Sequence, residues 1–351
     1  TFIDWEGEMD IGLMGNYLQR RRLLKLFIVS VSAILWSSCD RTGNQYAFEQ
    51  GSFEVKAVSQ LFLDFQKLDK QLPIRIAYPD AEGQFPVIVF SHGMGSKGDM
   101  YKGFTDFWAS HGYVVIQPTH IDSRSLGFEI KSENLREMYS QMLHVSVTRR
   151  QDMSFILDSL GLIQEMVPDL KGKMDTSNLV AAGHSMGAAT AMLVSGMKLV
   201  NPMDGSEESS DENRFKALLM ISDPGTMSLM PKDPWIGVKI PTFISTGTND
   251  FSEVGSTRVK SPFKYQVPEG LTESSAPHHY VFIEGADHYL GGLICRTDVP
   301  GPFQYAALKI AAATSTTFLE AYIGNNSEAK RAMQFGNLES VTSGQATLTV
   351  K

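Results

Sequence analysis

Gly183-His184-Ser185-Met186-Gly187 sets a serine midway between two glycines, behind the apolar run Leu179-Val180-Ala181-Ala182 and ahead of a helix-prone stretch from Ala188 to Leu199. A serine on a sharp strand-to-helix turn stands in strained backbone with its hydroxyl exposed, and a side chain two positions to either side would strike the neighbouring strand or helix. Only small residues fit at Gly183 and Gly187. The chemistry open to such a serine is attack on a carbonyl carbon. It needs a base for its proton, an acid to orient the base, and N–H donors for the charge that gathers on the carbonyl oxygen.

Three further segments supply those parts, each just past an apolar run. Ser91-His92-Gly93-Met94-Gly95 follows Val87–Phe90, and its turn offers the Met94 N–H, which with the Met186 N–H would make the two oxyanion donors. His92 reads as a brace for that turn, with Gly93 and His184 as supporting residues of the two motifs. Gly247-Thr248-Asn249-Asp250 follows Thr242–Thr246, and Glu284-Gly285-Ala286-Asp287-His288-Tyr289 follows Tyr280–Ile283. Ser185, Asp250 and His288 are then nucleophile, acid and base in chain order. Asp223, which follows Ala217–Ser222 and precedes the turn formers Pro224-Gly225, competes for the acid, and both carboxylates stay open at this point. Asp287 would have to fold back on its neighbour His288. His278, His279 and His288 lack the spacing of metal ligands, so neither a metal nor a cofactor is expected.

Eight strand-like runs position these loops: Val55–Phe65, Ile74–Tyr78, Val87–Phe90, Tyr113–Gln117, Leu179–Ala182, Ala217–Ser222, Thr242–Thr246 and Tyr280–Ile283. The later ones are short and continuously apolar, as in strands buried on both faces. Met153, Ile156, Leu157 and Leu160 share one helix face, and a second helix runs from Tyr305 to Ile323 before Gly324-Asn325. Strand and helix in alternation predict a mostly parallel central sheet covered by helices on both faces. Ser123–Ser146 interrupts the alternation as a cap over a pocket. The acidic, serine-rich Asn201–Arg214 reads as a solvated insertion, since it lacks the ordered spacing of a calcium loop.

The 351 residues, 42% of them hydrophobic, are enough for one large domain, and a net charge of −8 without a basic aromatic patch argues against nucleic acid. The dense basic cluster Arg20-Arg21-Arg22 with Lys25 precedes the apolar run Leu26–Trp36 and then Ser37-Ser38-Cys39. This is the layout of a secretory signal, with a run too short for the roughly 20 residues of a membrane span. The cysteine resembles a bacterial lipoprotein processing site, although Trp36 stands where that motif has leucine. Cys39 is therefore expected to carry lipid and to place the chain at a bacterial envelope, periplasmic or outer, or secreted. Met14 reads as a start, with 1–13 upstream of it. The expected organisation is upstream residues and signal over 1–39, a tether over 40–53, a catalytic domain over 54–335 and a polar tail over 336–351. Cys295 is left as a lone thiol, so no disulfide framework holds the fold.

Taken together, Phe85-Pro86-Val87-Ile88-Val89-Phe90-Ser91-His92-Gly93-Met94-Gly95, Ala109-Ser110-His111-Gly112-Tyr113-Val114-Val115 and Gly183-His184-Ser185-Met186-Gly187-Ala188-Ala189-Thr190 resemble the platelet-activating-factor acetylhydrolase and dienelactone-hydrolase-like branch of the α/β-hydrolases, over about Val55 to Ile323. The resemblance implies the α/β-hydrolase fold and a serine esterase working through an acyl-enzyme. It implies Ser185 as nucleophile, His288 as base, and Met94 and Met186 as oxyanion donors. For the acid it is divided: acetylhydrolase members favour the position of Asp223, whereas the loop ending in Asp250 resembles the bacterial members. The implied substrate is a short-chain or lipid-like ester, platelet-activating-factor-type phospholipids included. Two other readings stand beside it. The pentapeptide also resembles that of cutinases, which points to polyester or phthalate esters. A non-catalytic, envelope-anchored binding protein is the third, and the full set of parts in order speaks against it.

Overall fold

Short apolar runs buried on both faces make the centre of this protein. The computed structural model describes residues 46–129, 134–210, 212–222, 229–254, 257–260, 276–299 and 301–351. Among these, nine strands form one sheet: β1 (Val55–Phe65), β2 (Lys70–Pro79), β3 (Phe85–Ser91), β4 (Val114–Pro118), β5 (Met174–His184), β6 (Phe215–Ile221), β7 (Thr242–Asn249), β8 (His278–Asp287) and β9 (Ala346–Val350). Their spatial order is β1-β2-β4-β3-β5-β6-β7-β8-β9. The six strands from β4 to β8 in that order run parallel, with β1, β2 and β9 antiparallel at the edges. This is the α/β-hydrolase fold that the resemblance implied.

The helices are α1 (Lys102–Ser110), α2 (Leu135–Asp158), α3 (Leu160–Met166), α4 (Met186–Val194), α5 (Tyr305–Tyr322), α6 (Ser327–Phe335) and α7 (Leu338–Val341). Alternation along β3 shows why two layers are needed. Val87 and Val89 belong to the apolar cluster of Met153, Ile156, Ala188 and Ala191 from α2 and α4, whereas Ile88 and Phe90 belong to that of Phe104, Trp108, Phe318 and Leu319 from α1 and α5. The chain leaves β3 for β4 on one side and returns to β5 on the other. The loops after β3 and β5 therefore diverge, and the crevice between them is where ligands bind in open α/β sheets.

Four expectations change. Residues 46–53 are packed down rather than forming a tether: the Tyr46 hydroxyl donates to the Ala332 carbonyl at 3.2 Å and the Phe53 N–H to that of Ser110 at 3.1 Å. Residues 336–351 are no polar tail, because they contain α7 and β9. Their Ala-Thr-Leu-Thr-Val run buries only one face at the sheet edge, so its other face must be polar. The cap over Ser123–Ser146 is, from Leu135 onward, the first half of α2. Leu160 lies beyond a break at Ser159 and starts α3 rather than continuing the helix of Met153, Ile156 and Leu157.

The acidic insertion is ion-paired mostly to the residues around it, with Glu207 on Lys198, Glu208 on Arg150, and Glu212 with Asp158 on Arg214. Among the described residues no helix is long and apolar enough to cross a membrane. The signal, Cys39 and the competing acid Asp223 lie outside the described residues.

Candidate active site

β5 is buried from Leu179 to His184, and the chain then turns at Ser185 with φ 55° and ψ −121° before α4 begins at Met186. An L-residue is held in that sparsely populated region only if its surroundings enforce it. Here the Ser185 N–H is shared between the Ile221 and Ser222 carbonyls at 3.1 Å each. A Cβ on Gly183 would run into the Gly187 carbonyl group, and one on Gly187 into the carbonyl oxygen of Ser91. The two glycines thus let the strand fold back onto its own helix and let the β3 loop lie against the helix start. Met186 is the first residue of α4, so its N–H has no partner within the helix and points outward at the positive end of the dipole.

The Ser185 hydroxyl donates to His288 Nε2 at 2.9 Å, and His288 Nδ1–H donates to Asp250 Oδ1 at 2.7 Å. The carboxylate can only accept, which fixes the proton on Nδ1 and leaves Nε2 free to accept. Thr246 Oγ1 donates to the second Asp250 oxygen at 2.6 Å. Burial alone would raise the Asp250 carboxyl. The hydrogen bond and charge of His288, with bonds from Thr246 and Ser222, outweigh it and hold the carboxyl below its ordinary range. Asp287 faces away, its Oδ1 accepting from the Tyr289 and Gly291 N–H groups at 2.9 and 3.0 Å.

The loop after β3 is tied to both others through His184. The Gly93 N–H donates to the Tyr101 oxygen at 2.8 Å, the Tyr101 hydroxyl lies 3.0 Å from His184 Nδ1, and His184 Nε2 lies 2.8 Å from the His288 carbonyl. A carbonyl cannot donate, so His184 carries its proton on Nε2 and accepts from Tyr101 through Nδ1. Burial, and next the neighbouring His288, push the His184 imidazole down to about 3, so it stays neutral. The central residue types of the two motifs thereby set the spacing of nucleophile, base and oxyanion loop. Met94, at the outer tip, is 37% exposed, and its N–H is turned away from the sheet by the bonds that the Gly93 carbonyl accepts.

Behind the loop lies a buried polar cluster that no sequence motif announced: Arg149 and Asp152 on α2, and His120 and Asp122 after β4. Arg149 has the spacing of an ordinary polar helix position, and Tyr101 that of a core aromatic, so nothing local marks either. His92 does brace its turn, Nδ1 lying 2.7 Å from the Gly93 carbonyl. Among the described residues no group of three or more His, Cys, Asp or Glu side chains is arranged to hold a metal ion. An apolar pocket lined by Met186, Leu193, Met197, Leu229 and Met230 abuts the helix that starts at the serine.

This arrangement can take a proton from a serine, hold the resulting imidazolium against a carboxylate, and present backbone N–H groups to an anion. Comparison with known proteins points to hydrolases of the esterase and lipase kind. The chlorophyllase family model matches residues 44–206, which takes in the β3 loop and the serine turn but ends before Asp250 and His288. A putative phospholipase A2 of Schizosaccharomyces pombe is 24% identical over 160 residues, 34% of this chain and 36% of that protein. Chlorophyllase-1 of Arabidopsis thaliana is 22% identical over 162 residues, 46% and 49% of the two chains. The platelet-activating factor acetylhydrolase of Cavia porcellus is 26% identical over 215 residues, 51% and 48%. The chain thus spans about half or less of the length of these relatives.

Proposed function

We propose that this chain, with its α/β-hydrolase fold, is a serine carboxylester hydrolase acting on short-chain or lipid-like esters. The observation that carries this reading is the unbroken line of hydrogen bonds from Ser185 Oγ through His288 to Asp250. In this reading His288 Nε2 takes the Ser185 proton as Oγ attacks the ester carbonyl. The oxyanion accepts from the Met94 and Met186 N–H groups, and the imidazolium returns its proton to the leaving alcohol. Water, deprotonated by the same imidazole, then frees the acyl group from Ser185. Support for an ester of lipid character comes from two relatives whose names state it, a phospholipase and an acetylhydrolase of platelet-activating factor. Hydrolysis of p-nitrophenyl acetate and butyrate by the wild type, and its loss in Ser185→Ala, is the expected result. Equal turnover by the variant overturns the reading.

We also propose that Cys39 carries lipid at a bacterial envelope, on the basic cluster, apolar run and Ser37-Ser38-Cys39 order. Cys39→Ala should move the protein from the detergent to the aqueous phase in a partitioning assay. Unchanged partitioning contradicts it.

A further inference from the structure

The Arg149 guanidinium is fully buried, and its donors radiate onto the backbone that leads into the oxyanion loop. Nε and Nη2 grip Asp122 at 2.8 and 2.7 Å. Nη1 donates to the His92 carbonyl at 2.6 Å and to Ser91 Oγ at 3.2 Å, and Nη2 reaches the Gly93 carbonyl at 3.4 Å. Two peptide units are therefore addressed. The unit between His92 and Gly93 is held at both ends, its carbonyl by Arg149 and its N–H by Tyr101. The unit between Gly93 and Met94 is held at the carbonyl only, by His92 Nδ1–H, the Ser96 N–H and Arg149. The peptide is planar and trans, so its N–H points the other way, out of the cluster.

The remaining bonds set the tautomer of His92. The His120 N–H donates to His92 Nε2 at 2.9 Å, which leaves the His92 proton on Nδ1, facing the Gly93 carbonyl. His120 is fixed in turn, with Nδ1–H on Asp152 at 2.9 Å and Nε2 accepting from Ser91 at 2.8 Å. Asp152, His120 and Ser91 thus repeat the connectivity of Asp250, His288 and Ser185. Ser91 is fully buried and its oxygen also accepts from Arg149, so this second line is closed to substrate and orders the loop instead.

We propose that Arg149 is a positioning residue for the reaction: by holding the His92 and Gly93 carbonyls from behind, it aims and polarises the Met94 N–H toward the oxyanion. The inference rests on the esterase reading. A cationic donor on a carbonyl strengthens the N–H of the same peptide, and a preorganised donor costs nothing to orient during the reaction. The N–H then gains most when charge is on the substrate oxygen, which is the transition state and not the ground state.

The test compares wild type, Arg149→Lys, and Arg149→Met with Asp122→Leu, the last replacing the buried ion pair by apolar groups of similar size. Turnover of p-nitrophenyl butyrate is expressed per active site titrated with a phosphonate, so that misfolded protein lowers the titre and not kcat. A trifluoromethyl ketone, which forms a tetrahedral oxyanion on the serine, reports the oxyanion interaction directly. Expected is a fall in kcat of about 10²-fold in both variants with KM little changed, matched by weaker ketone binding, even where the double variant melts at the wild-type temperature. Titratable variants with kcat and ketone affinity within about threefold of wild type overturn the proposal. Wild type without turnover, or turnover surviving Ser185→Ala, overturns the esterase reading and this inference together.

Discussion

At the residue scale, strand register bears on what residue type leaves open: it places Asp250 beside His288, while Asp223 lies outside the described residues. Asp250 and Asp223 both follow strand ends. β8 pairs in parallel with β7 so that Asp287 sits opposite Asn249, which brings the next residues, His288 and Asp250, side by side. Asp250→Asn would keep the shape but offer an amide, removing the charge that favours the imidazolium and allowing the wrong tautomer. Turnover should fall by about 10⁴-fold at normal folded yield, while Asp223→Asn keeps measurable activity. Steady-state kinetics on purified variants checks both, and the reverse ranking contradicts the assignment. Ser185, His288, Met94 and Met186 were legible as candidates because each lies in a strand-end loop of recognisable composition. Arg149 and Tyr101 were not, since a lone arginine on a helix and a tyrosine after a turn carry no pattern. Only the fold brings them behind the loop.

At the element scale, the strands that carry the chemistry are the most apolar and were the easiest to read. The edge was the hardest. β9 alternates Ala346, Thr347, Leu348, Thr349 and Val350 because one face packs against α6 and α7 and the other meets water, and so it reads as a tail. Its pairing with β8 closes from the His278 N–H to the Lys351 carbonyl at 2.8 Å and from the Lys351 N–H to the His278 carbonyl at 2.9 Å. Truncation after Phe335 removes α7 and β9, uncovers buried Leu338 and Ala346 contacts, and leaves the outer edge of β8 unpaired. The truncated protein should melt several degrees lower and aggregate on heating, measured by circular dichroism and light scattering. Melting equal to the full chain would show the edge to be dispensable.

At the scale of the whole molecule, five buried imidazoles tie stability to pH. His184 is pushed down to about 3 and His278 and His279 to about 4, chiefly by burial; His92 and His120 also lie below the ordinary value, from burial and from Arg149. Because the folded values lie below the unfolded value of about 6.5, the unfolded chain binds more protons, and stability falls as pH drops from there. Each histidine contributes up to about 1.4 kcal/mol per pH unit until its own folded value is reached. Urea midpoints should therefore decline steeply between about pH 6.5 and 4 and stay flat from pH 7 to 8, and a flat midpoint down to pH 5 contradicts neutral burial. None of this was visible from composition, which gives the number of histidines and not their depth.

The central claim is that Ser185 is the nucleophile, and one measurement addresses it without any choice of substrate. Wild type, Ser185→Ala and Asp250→Asn are incubated with an activated alkyl phosphonate and digested, and the adduct is located by peptide mass spectrometry. Expected is a single stoichiometric adduct on the peptide that contains Ser185, absent from Ser185→Ala and formed far more slowly on Asp250→Asn. An unlabelled Ser185 in folded wild type, or label that persists on another residue in Ser185→Ala, would contradict it.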